Sequence, residues 1–215
     1  MRLSRYMLFA LLAGGVLAAL PPQLGALARS GDSDGRAGSW RKAGQGSPSV
    51  EACRKRVQDN PKDADAQNDL GWALRQHDDL AGAESALKEA IKLMPGLPQA
   101  HSNLSVVLLD KHDAAGAVAE GRQAVSLDGG KAIYHVVLGN ALSAGGDRKT
   151  AIEEYRAALK LKPDYENAMF HLGATLFDDG QMIESKKALS YALGLDPDDG
   201  RVLELMDKIM KSEKQ

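Results

Sequence analysis

Cysteine is almost absent from the chain, with Cys53 alone among 215 residues. One thiol cannot close an internal bridge, so packing must hold the fold. No histidine or acid pattern around "VEACRKRVQ" supports nucleophilic chemistry, and Cys53 reads as a small packing residue. Aromatic residues make up only 5%, and β-branched residues are few beside Ala and Leu. That composition argues against a strand-rich fold. Neither sign of charge dominates: the net charge of −2 gives no global basic field for nucleic acid. Residues 49–215 hold 21 basic and 27 acidic side chains, so this part is mildly acidic.

A long apolar run occurs only at the start. "MRLSRYMLFALLAGGVLAAL" opens with Arg2 and Arg5, and no further charge appears before Arg29. A positive segment, an apolar segment and the small-x-small site Ala26-Leu27-Ala28 together form an export signal. The dense apolar part, Tyr6 to Leu20, is shorter than the ~20 residues that span a bilayer. Residues 1–28 are therefore expected to be a signal peptide cleaved after Ala28. The rival reading keeps residues 6–28 as a membrane tether with the arginines inside the cell. Both place the remainder across the membrane, in a periplasmic setting. Residues 29–48 are rich in Gly and Ser and are expected to form a flexible linker, with Trp40 its one large apolar residue.

What the rest contains is a period. The helix-ending stretches "IKLMPG", "VSLDGG", "LKLKPD" and "LGLDPD" place Pro95, Gly129, Pro163 and Pro197 at steps of 34, and Pro61 lies one step earlier. Leu70, Leu104, Leu138 and Leu172 follow the same step, as do Leu74, Leu108, Leu142 and Leu176. Small residues align too: Gly71, Ser105, Gly139 and Gly173; Ala83, Ala117, Ala151 and Ser185; Ala90, Ala124, Ala158 and Ala192. Each period holds two helical patterns split by a short break, with Asp79, Asp113 and Asp147 placed to cap the second helix. The Leu-Lys-Leu-Lys alternation at 159–162 then ends a second helix, with lysines at the negative end of its dipole.

This pattern resembles the tetratricopeptide repeat (TPR). The resemblance implies an all-α, right-handed α-solenoid of about four repeats, at 64–97, 98–131, 132–165 and 166–199. Residues 49–63 would supply an unpaired second helix, and residues 200–213 a capping helix with Val202, Leu205, Met206 and Ile209 on its apolar face. The second unit departs most: Ser105 replaces Gly, Gly121 replaces a large apolar residue and Gly129 replaces Pro. It is expected to be the loosest.

The resemblance also implies a concave groove lined by first helices that holds a partner peptide or helix. By register the first unit contributes Asn68, Trp72 and Arg75, and the second contributes Asn103, Val106 and Leu109. The third contributes Val136, Val137, Asn140 and Ser143, and the fourth Asn167, Phe170, His171, Ala174 and Phe177. The amides Asn68, Asn103 and Asn140 are expected to fix an extended backbone, and Trp72, Phe170 and Phe177 to anchor side chains. The carboxylate clamp of chaperone-binding members is not matched. Of Asn68, Trp72, Asn103, Ile133 and Val137 at its positions, only Asn103 fits.

No catalytic residues, cofactor or metal site are expected. His101 and His135 occupy equivalent places, but no third or fourth ligand accompanies them, and packing between helices is their expected role. The expected function is a non-enzymatic protein–protein interaction adaptor of the cell envelope, a candidate assembly or secretion factor with no nucleic-acid site. The alternative is a self-associating structural module, a homo-oligomer built by end-to-end stacking.

Overall fold

The computed structural model describes residues 49–212, all within one compact unit, Ser33–Gln215. Residues 1–48, read above as an expected export signal and a linker with Trp40, lie outside the described residues. Ten helices and no strand occur among the described residues. A lone helix, α1 (Val50–Asp59), precedes four pairs. These are α2 (Ala64–Gln76) with α3 (Leu80–Leu93), α4 (Pro98–Asp110) with α5 (Ala114–Leu127), α6 (Ala132–Ala144) with α7 (Arg148–Leu161), and α8 (Glu166–Asp178) with α9 (Met182–Leu195). A last helix, α10 (Gly200–Ser212), closes the series.

Each pair packs on itself, each second helix packs on the next first helix, and successive first helices also touch. This is an all-α solenoid. A single pair cannot bury its apolar face, and stacking removes the deficit. Ala90, Ala124, Ala158 and Ala192 are fully buried where one pair meets the next, which is why no larger residue appears there.

The turns explain the period locally. Asp79, Asp113 and Asp147 each accept a hydrogen bond from a backbone N–H of the second helix's first turn. The fourth equivalent, Gln181, makes no such cap. Just before these caps the chain enters the left-handed region at Asp78, His112, Gly146 and Gly180, again 34 apart. Gly takes this conformation without cost, whereas His112, at φ 62°, holds it against the clash of its Cβ.

The glycines of the first helices mark a close approach. A Cβ on Gly71, Gly139 or Gly173 would strike Leu87, Tyr155 or Leu189, the large residue of the same pair's second helix. The second unit reverses the arrangement. Ser105 takes the small position and donates its hydroxyl to the Ala117 carbonyl at 2.7 Å, while Gly121 stands where a large residue would. The space is not empty. A Cβ on Gly121 would meet the Leu138 backbone at 3.2 Å, so the next pair moves in instead. The space beside Gly121 is thus taken up by Leu138 of α6.

The ends are fastened by ions. Arg56 of α1 bridges to the buried carboxylate of Asp69 and to Asp63. Arg201 of α10 bonds Asp199 at 2.8 Å, the Asn167 oxygen at 3.1 Å and Glu166 at 3.5 Å. That guanidinium holds Asp199 down at about 2.

Candidate functional site

The first helices form one side of the stack, and the residues assigned to a groove divide there into three groups. Asn68, Asn103 and Val136 are buried within the stack. Asn103 donates through Nδ2 to Asn68 Oδ1 at 2.8 Å, which ties α2 to α4. These two amides bond each other inside the protein, so they are structural and do not display themselves to a peptide. Val137 is buried as well.

The second group is half-buried and presents an apolar strip: Trp72, Val106, Leu109 and, at its polar edge, Asn140. Asn140 Oδ1 accepts from the Tyr155 hydroxyl at 2.8 Å, which leaves its amide N–H groups for other partners. Arg75 lies 4.9 Å over the Trp72 ring and donates to Asp110 of the next first helix at 2.6 Å. The Trp72 indole N–H is buried and finds no acceptor among the described residues. A cation above a ring with an unsatisfied donor at its edge makes an amphipathic spot, apolar in area and specific in direction.

The third group belongs to α8 and is engaged by α10. Arg201 sits 4.7 Å over the Phe170 ring and Lys208 sits 5.1 Å over Phe177. The two rings therefore meet cations of the chain's own last helix. Between α8 and α10 lies a cleft of about 640 Å³, floored by Phe170, Ala174 and Phe177 and walled by Arg201, Glu204, Leu205, Lys208 and Lys211. Asn167 is exposed and already holds Arg201. His171 stacks on Tyr155 at 5.9 Å and meets Phe170 edge-on at 5.3 Å. Burial pushes its pKa down to about 4, aided by the charge of Arg201, so the ring is neutral. Ser143 lies 3.4 Å from Thr175, a link between the third and fourth units.

His101 and His135 do not stack on each other. Each bonds a glutamate of its own pair and a carbonyl of the preceding turn. The signal was present in the sequence, since Glu120 and Glu154 each stand 19 residues after a histidine and 34 apart. Among the described residues no group of three or more His, Cys, Asp or Glu side chains is placed to hold a metal ion. No described helix is long and apolar enough to cross a membrane.

Comparison with known proteins gives the same architecture. A tetratricopeptide-repeat family model matches residues 31–98, and a TPR-repeat model matches residues 139–180. The first match begins inside the stretch that composition reads as a linker. No curated protein matches the chain. Among solved structures, the PilF protein of Pseudomonas aeruginosa aligns with a TM-score of 0.65 at 22% identity, covering 72% of each chain. MamA of Desulfovibrio magneticus RS-1 aligns at 0.62 and 18% identity, over 70% of this chain and 85% of its own. YrrB, described as a TPR protein with an unusual peptide-binding site, aligns at 0.60 and 19% identity, over 76% of this chain and 93% of its own. At these identities the likeness is one of fold.

Proposed function

The chain is a tetratricopeptide-repeat protein, and from that premise we propose that it is a non-catalytic interaction adaptor. It binds a peptide or helix of a partner protein along the first helices. The observation that carries this reading is the half-buried strip of Trp72, Val106, Leu109 and Asn140. Aromatic and apolar side chains left partly exposed in line are the anchors that dominate binding energy. The peptide-binding site of YrrB, which shares the fold, supports the same reading.

The setting we propose is the cell envelope, with residues 1–28 acting as signal or anchor. The sequence features that support it are Arg2, Arg5, the apolar run and the Ala26-Leu27-Ala28 site. End-to-end stacking is the weaker reading. At the α10 end the exposed charged residues are Arg201, Glu204, Asp207, Lys208 and Lys211, a surface that resists burial against a second array.

The test is crosslinking in envelope fractions followed by identification of the captured protein, comparing the native chain with Trp72→Ala and Leu109→Ser. Capture that depends on both side chains supports the groove. Capture that survives both substitutions refutes it. N-terminal sequencing of the mature protein tests the address, and a chain found intact from Met1 in the cytoplasm would refute export.

A further inference from the structure

His101 and His135 present the same unusual geometry twice. His101, on α4, places Nδ1 2.7 Å from Glu120 Oε2 of α5 and Nε2 3.0 Å from the Pro95 carbonyl of the preceding turn. His135, on α6, places Nδ1 2.7 Å from Glu154 Oε2 of α7 and Nε2 3.0 Å from the Gly129 carbonyl. A carboxylate and a carbonyl both accept hydrogen bonds. Each ring therefore faces two acceptors and needs two N–H donors. Neutral imidazole has one donor, and imidazolium has two. In either neutral tautomer, one lone pair points at another.

The position of these rings matters as much as their chemistry. His101 links the turn that ends the first unit to the second helix of the second unit. His135 links the turn that ends the second unit to the second helix of the third. The two bonds thus bracket the second unit, where Gly121 and Gly129 replace the family's large and rigid residues. We propose that His101 is a proton-gated staple that tightens the joint between the first and second units when protonated and loosens it when neutral, with His135 repeating its bonding geometry at the next joint.

The charged surroundings agree with that role. Glu120 is the charge that faces His101 from α5, and it also acts on Lys88 of α3. Glu154 is the charge that faces His135 from α7. The hydrogen bond to Glu120 raises the His101 pKa, with help from the Pro95 carbonyl and against the effect of burial. A raised folded pKa means a contribution fully present below the unfolded value of about 6.5 and lost as pH rises through the folded value. The neutral ring of His171 in α8 has the opposite sign, so a melting curve of the whole molecule mixes the two. Stability in a stacked array is local, and it must be read unit by unit.

The experiment is hydrogen exchange resolved by helix at about pH 5.5 and about pH 8, corrected for intrinsic rates, with nitrogen-15 spectra of the imidazoles. The native chain is compared with H101Q/H135M. These substitutions use residues that the chain itself carries at the equivalent positions, Gln67 and Met169. Protection of α4 and α5 in the native chain is expected to fall between the lower and the higher pH. In the variant that fall is expected to vanish. A fall that persists in the variant, or no fall in the native chain, overturns the proposal. If the double variant does not fold, the imidazole spectra decide. The His101 ring must carry two N–H protons at the lower pH and one at the higher, and a single N–H at the lower pH overturns the proposal.

Discussion

Replacing Asn103 by Ala should cost more than replacing Asn103 and Asn68 together by Leu. The two amides are 3% and 1% exposed, so water cannot stand in for a lost partner. Asn103→Ala deletes the donor of the 2.8 Å bond and leaves Asn68 Oδ1 dry and unpaired. A net hydrogen bond is worth about 1 kcal/mol, but stranding a buried acceptor costs about 1–3 kcal/mol. A small cavity adds to this, so a loss of about 2–3 kcal/mol is expected. In N68L/N103L both polar groups are gone and the side chains keep nearly the same shape. The double variant should then lie within about 1 kcal/mol of the native protein. Urea unfolding with an unchanged slope measures both. The reasoning fails if N103A unfolds like the native chain while losing its partner. That result would make the amide a ligand group, as its place in the repeat suggests, and would mean that the stack opens between α2 and α4.

Three further outcomes follow from single contacts. His171 has a folded pKa of about 4 because it is buried, so the unfolded chain takes up a proton below about 6.5 that the folded one refuses; stability should fall by up to about 3 kcal/mol on reaching pH 4. His171→Phe should remove that part of the pH dependence, and an unchanged slope in urea titrations would count against it. Gly139→Ala should lower the melting temperature, because the new Cβ would lie 2.6 Å from Tyr155 Cε1. Overpacking of about 1–3 kcal/mol outweighs the ~1 kcal/mol gain in helix propensity, and a raised melting temperature would refute the close approach. His112→Gly should stabilise by about 1 kcal/mol, since it relieves a side chain held at φ 62°, and calorimetry that shows a loss would indicate a hidden contact of the imidazole.

The helices were legible because stacking is one-dimensional. Every unit meets the same two neighbours, so the same packing demand returns every 34 residues and writes itself into Leu70, Gly71, Leu74, Ala83 and Ala90 and their successors. Several polar contacts between units were less legible because they do not follow that step. Asn68 with Asn103, Arg75 with Asp110 and Glu166 with Arg201 are each 35 apart. Each partner sits one residue past its repeat equivalent, because side chains of adjacent first helices reach across at an offset. Aligning units by identity shows which residues are equivalent. It does not show which residues touch. Ser105 and Gly121 demonstrate the same gap: two departures that each read as a defect are one exchange, visible only when Leu138 is seen to stand against Gly121.

The fourth unit shows why a register alone misjudges a binding surface. Phe170 and Phe177 satisfy the repeat's rule for groove residues as well as Trp72 does. Trp72 and Val106 have a full helix pair as their next neighbour, whereas Phe170 and Phe177 have α10, which keeps the 34-residue step but has no second helix among the described residues. Its polar side carries Arg201 and Lys208 at seven-residue spacing, two helical turns, and α8 carries the two phenylalanines at the same spacing. The cations then fall on the rings one for one. A cap that only needed to hide apolar surface would have required Val202 and Ile209 and nothing more. The matched pairs, with Arg201 also fixed by Asp199, Glu166 and Asn167, hold α10 in one position over α8. A partner that reaches Phe170 or Phe177 must contend with that helix, whereas one that reaches Trp72, Val106 and Leu109 does not. The chemistry of the first-helix side therefore changes along its length, from an apolar strip over the first two units to a self-engaged aromatic cleft at the fourth.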